Sequence, residues 1–175
     1  ANLSMVPDNY IRKQTLAKCK EIARNIMKEL KNENQRKQLN AIYMLKQFPD
    51  LSSDEEIKDM QDYKEVKEIM KQVYIESAKT IMKILDSSAA FSSDPKTSFN
   101  YMEPLDQMLA AEYIKILPNA FIGGPMKSAV NHPHPKVVRI AVEYYDSLPS
   151  DLKYSDVMPR GFKEVIRKKK SELKE

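Results

Sequence analysis

The sequence predicts an all-α protein, an irregular bundle of about six or seven helices around a long central helix, as a single domain over residues 1–175. Three observations carry that reading. Apolar residues recur every three to four positions along most of the chain, the spacing that lines one face of a helix. Glycine is scarce, three in 175 residues, whereas a strand-rich sandwich or barrel needs many more for its turns. Prolines stand where the periodic runs start or stop, the places where a missing N–H does least harm.

The first helix starts near Asp8, an N-cap candidate behind Pro7, and runs to about Lys31 on the stripe Ile11, Ala17 or Cys19, Ile22, Ile26 and Leu30. A second covers Gln35 to Phe48, with Leu39, Ile42, Leu45 and Phe48 inward and Pro49 ending it. Ser53-Asp54-Glu55-Glu56 fits a capping box with Ser53 as the cap. Ile57, Met60, Tyr63, Val66, Met70, Val73, Ser77, Ile81 and Ile84 then continue one helical period to Leu85. This is the central helix, long enough to admit a break near Asp62.

Residues 87–103, rich in serine and carrying Pro95, read as a loop and as the place where the chain would divide if it had two domains. Pro104 opens a helix that continues through Leu105, Met108, Leu109 and Ile116 to Leu117, before Pro118. Pro135 opens another, which ends at Leu148 before Pro149. The last begins at Pro159 and sets Phe162, Val165 or Ile166, Lys169 and Leu173 on a narrow stripe.

Between the run that ends at Leu117 and the one that Pro135 opens lies FIGGPMKSAVNHPHPK, residues 121–136, which holds both histidines and two of the three glycines. It reads as a structured bend built on a two-glycine turn. His132 and His134 are too few for zinc, since the flanking sequence supplies no third ligand and Cys19 is remote. The order Gly124-Pro125-Met126-Lys127-Ser128 departs from the phosphate-binding loop, in which lysine follows glycine directly after a strand. Cys19, between Lys18 and Lys20, reads as a small buried residue of the first helix, not as a nucleophile. Asp54, Glu55, Glu56 and Asp59 fall in the first turns of a helix, where negative charge favours the dipole. No catalytic residue, metal site or cofactor is predicted, and the protein reads as a non-enzyme.

Charge is the strongest pattern. Residues 1–49 sum to +6, residues 50–106 to −6 and residues 107–175 to +4, so the overall +4 conceals three blocks of alternating sign. No acid occurs between Glu112 and Glu143, while Lys115, Lys127, Lys136 and Arg139 do, with His132 and His134 among them. A second cluster, Arg167, Lys168, Lys169 and Lys170, lies in the terminal helix. These ten residues are the candidate anion- or partner-binding set, against the plain alternative that folding lays the acidic middle on the basic ends.

The favoured function is a protein-interaction or assembly module that selects its partner, another protein or a second copy, through a charged and partly apolar helical surface. Ten methionines suit an adaptable surface of that kind. The alternative is a nucleic-acid-binding protein that grips phosphates with the Lys and Arg of residues 115–139 and 160–170. A single cysteine, and no uninterrupted apolar run approaching the ~18 residues of a membrane span, place the chain in the cytoplasm and away from membranes.

Overall fold

The computed structural model describes residues 8–87 and 104–174. Among them the chain forms α1 (Asp8–Leu30), α2 (Gln35–Tyr43), α3 (Glu55–Lys58), α4 (Gln61–Asp86), α5 (Leu105–Tyr113), α6 (Gly123–Val130), α7 (Pro135–Ser147), α8 (Ser150–Lys153) and α9 (Phe162–Leu173). Short 3-10 turns extend α2 (Met44–Gln47) and α5 (Ile114–Ile116), and another, Asn119–Phe121, leads into α6. No strand occurs among the described residues, and seven of these helices have eight residues or more. The all-α, multi-helix class read from the sequence holds. Apart from Ser87, the expected 87–103 loop lies outside the described residues, as does Pro7.

The central helix is α4, at 26 residues the longest, and α1, α2, α3, α5 and α6 all pack on it. A second layer follows from α7, which touches α5, α6 and α9. One core runs through both layers: Ile26, Ile42, Ile81, Ile84, Ile114 and Met126 are all fully buried within it. Each such side chain contributes about 1.5–3 kcal/mol when withdrawn from water, which outweighs the weak local preferences of the shorter helices. A smaller cluster of Leu16, Cys19, Ile57 and Val66 fastens α3 between α1 and α4.

Several local expectations change. On α1 the inner stripe begins at Leu16 and Cys19, while Ile11 is exposed and Ala17 faces water. The central run does break, between Lys58 and Gln61. Asp54, not Ser53, caps α3: its Oδ1 accepts the N–H groups of Glu56 and Ile57 at 3.1 and 3.2 Å. Its other oxygen accepts from Arg12 Nε at 2.9 Å, and this bond holds the Asp54 carboxyl below the usual carboxylate range. A carboxylate serving two such partners outcompetes the hydroxyl one residue earlier.

The largest correction concerns residues 123–130, which form helix α6 and not a two-glycine turn. Gly123, Gly124 and Pro125 occupy its first turn, where backbone N–H groups lack partners anyway and a proline therefore removes nothing. The first helical bond, Met126 N–H to Ile122 C=O, spans 2.9 Å.

One polar side chain is left over inside. Ser77, on the inner face of α4, is fully buried and its Oγ has no hydrogen-bond partner among the described residues. Ser77→Ala is therefore expected to raise stability by about 1 kcal/mol, since it removes an unpaired hydroxyl and improves helix propensity. Urea denaturation checks this, and a loss of stability on substitution would contradict it.

Candidate functional site

An open groove of about 900 Å³ runs between the segment after α2, the first half of α4 and the turn before α6. Phe48 is extended (φ −65°, ψ 126°), as a residue before proline must be, and Pro49 ends the 3-10 turn. The chain then reverses at Asp50, whose carboxylate accepts from both the N–H and the hydroxyl of Ser52. Those two bonds hold the Asp50 carboxyl below its ordinary range.

The floor is aromatic. Tyr74 of α4 meets Phe48 edge-on at 6.0 Å between ring centres and Phe121 in a tilted pair at 5.7 Å. Burial of this ring raises the Tyr74 hydroxyl's pKa above its ordinary value. Leu45, Leu51, Tyr63, Met70 and Pro118 complete the apolar lining. Tyr63, Met70 and Tyr74 share a face because positions seven and four apart on a helix lie one above another.

The rim is cationic. Lys64, Lys67 and Lys71 of α4 line the groove at helical spacing and are all exposed. None pairs with a carboxylate among the described residues, although the neighbouring Lys20, Lys58 and Lys79 do. Like charges three and four apart on a helix repel by about 0.2–0.5 kcal/mol per pair, so this row stands ready to accept an anion. Two carboxylates also line the groove, and each is engaged: Asp50 by Ser52, and Glu68 by Gln72 Nε2 at 3.3 Å.

The ten residues singled out from the sequence lie elsewhere. Lys127 is exposed on α6, Lys136 and Arg139 on α7, and the helices that carry them pack together. Lys115 is held by Glu112 at 2.7 Å. In the terminal cluster, Arg167 pairs with Glu164, Lys169 with Glu172 at 3.6 Å, and Lys170 with Asp146 of α7 at 2.6 Å, while Lys168 stays exposed. The N-terminal third also meets the acidic middle, through Arg12 with Asp54 and Glu56, Lys20 with Glu65, and Arg36 with Asp106. Cation and acid blocks separated along the chain are thus in part joined in space.

His132 and His134 are buried, with 4% and 6% of their surface exposed. They build the corner between α6 and α7. His132 Nδ1 accepts the N–H of His134 at 3.0 Å, and His134 Nδ1 accepts the N–H of Lys136 at 3.1 Å, which caps α7. Pro133 and Pro135 have no N–H to satisfy. Both imidazoles must therefore be neutral, with the proton on Nε2. Burial, reinforced by the neighbouring His134, lowers the His132 pKa to about 4. Among the described residues no three His, Cys, Asp or Glu are grouped to hold a metal ion, and no helix is long and apolar enough to cross a membrane.

No protein-family model matches the chain, and no curated protein or solved structure does either. The groove's lysines escaped the sequence reading because they fall in the block whose charges sum to −6; the spacing Lys64, Lys67, Lys71 was the signal available.

Proposed function

We propose that the protein is a non-enzymatic binding module that recognises another protein through the groove along α4. The observation that supports this is the coincidence, in one concavity of about 900 Å³, of an apolar aromatic floor and a row of exposed lysines. Apolar concavities with a polar rim supply the anchor pockets and the surrounding selectivity that protein recognition needs. A cytoplasmic location accords with a buried, reduced Cys19, whose thiol burial pushes to a higher pKa.

The test is selection of binders from a random peptide display library, followed by chemical-shift mapping on the full chain. Selected peptides are expected to perturb Leu51, Tyr63, Met70 and Phe121; perturbations confined to other faces would overturn the reading. Sedimentation of the protein alone over a range of concentrations identifies a second copy as the occupant.

A nucleic-acid reading rests on Lys127 and Arg139, exposed on adjoining helices without a carboxylate partner among the described residues. It predicts binding to arbitrary RNA or DNA that weakens steeply as salt is raised. The pairing of Lys115, Arg167, Lys169 and Lys170 with acids makes it the weaker of the two.

A further inference from the structure

We infer that the occupant of the α4 groove is an acidic amphipathic helix. The inference rests on the protein-binding reading and names the chemistry of the partner.

Three features of the groove select it. First, the walls are helices and turns, and the described residues offer no strand edge. An extended peptide laid here would find no row of backbone partners, whereas a helix satisfies its own N–H and C=O groups and offers only side chains. Second, the floor presents Phe48, Tyr74 and Phe121 as one run, with Met70 and Leu51 beside it. Such a floor accepts the apolar stripe of a helix at positions i, i+3 or i+4, and i+7. Third, Lys64, Lys67 and Lys71 span seven residues of α4, about 10 Å at 1.5 Å per residue. That is close to two turns of a facing helix, so carboxylates one turn apart on the partner meet successive lysines.

Polynucleotide is the less suited anion. Asp50 and Glu68 stand on the same lining and repel a continuous phosphate chain, but a peptide can place its carboxylates only where the lysines are. The aromatic rings are also turned toward one another, which leaves less open ring face for stacking bases.

The experiment titrates the full chain with four probes, followed by chemical shifts and by fluorescence anisotropy. Three are designed 16-residue helices, about four turns each, with one leucine and phenylalanine stripe and with glutamate, glutamine or lysine on the flanks. The fourth is a single-stranded oligonucleotide. The acidic helix is expected to bind in the groove at least tenfold more tightly than the glutamine helix. Its affinity should fall as salt rises from about 50 to about 500 mM, because exposed charges are screened over that range.

The triple variant Lys64→Glu, Lys67→Glu, Lys71→Glu should reverse the order and favour the lysine helix. All three positions are exposed, and an unchanged circular dichroism spectrum and melting temperature confirm that the variant is folded. Equal binding of the acidic and glutamine helices would overturn the acidic partner and leave protein binding standing. If no helix of any charge bound the groove, the protein-binding reading would fall with it. Oligonucleotide perturbing the groove residues more strongly than the acidic helix would replace both with the phosphate reading.

Discussion

Gly123→Ala is expected to destabilise the protein by about 3 kcal/mol or more, while Gly124→Ala, one residue on, is expected to stay within about 1 kcal/mol of the unsubstituted chain. The contrast comes from what each new methyl group meets. At position 123 an ideal Cβ would stand 2.0 Å from the carbonyl oxygen of Val157 and 3.2 Å from its carbonyl carbon. Backbone cannot swing aside. Either α6 must lift from the core, drawing Met126 and Ala129 with it, or residues around Val157 must leave their seat. At position 124 the nearest atom is the Met82 sulfur at 2.8 Å, the end of a flexible side chain that can change rotamer. Alanine there also gains helix propensity. Urea midpoints of the two variants measured side by side decide the matter, and similar midpoints would mean that the close approach of α6 to Val157 does not constrain the fold.

Acid is expected to weaken the fold well before the carboxylates titrate. His132 holds its pKa near 4 in the native state against an ordinary 6.5. Between those two values the unfolded chain takes up a proton that the native chain refuses, so stability is full above about pH 6.5 and declines as pH falls toward 4. The loss is at most about 3 kcal/mol. Its structural meaning is plain: a proton on Nδ1 abolishes the acceptor for the His134 N–H, in the buried corner between α6 and α7. The depressed carboxyls of Asp50 and Asp54 act in the same direction but lower, below the ordinary carboxylate pKa of 3.8. His132→Asn keeps an acceptor oxygen near the same amide and removes the titration. Urea unfolding at several values between pH 7 and pH 5 should show a steeper slope for the native sequence than for this variant, in which only the buried His134 remains to take up a proton on unfolding. Equal slopes would assign the acid sensitivity to other groups.

How much of this was legible beforehand depended on range. Periodicity in α1, α2, α4 and α7 reports burial because a helix with one apolar stripe has one way to face a core, and it located those elements, although Ile11 and Ala17 face water and the central run breaks before Gln61. Gly123 and Gly124 misled, since two glycines ordinarily mark a turn; here one of them exists for a contact with Val157, thirty-four positions away, which no local pattern encodes. Ser53 and Asp54 were separated only by Arg12, again remote in sequence. The histidines were counted with the anion- or partner-binding residues, yet both serve the backbone two residues ahead, a role that alternation with prolines does signal once the missing N–H groups are counted. For the groove, summing charge over fifty-seven residues averaged away a row of three lysines on one face of α4. Its aromatic floor draws on Phe48, Tyr74 and Phe121, and their meeting is a tertiary event.

That meeting sets a condition on anything that docks there. The three rings arrive from the end of α2, the middle of α4 and the approach to α6, so neither half of the polypeptide owns the surface. A chain that stops short of Phe121 has the lysines but only two of the three rings. Assembly of this aromatic floor is thereby tied to folding of the chain at least as far as Phe121, because the first two rings do not complete it alone.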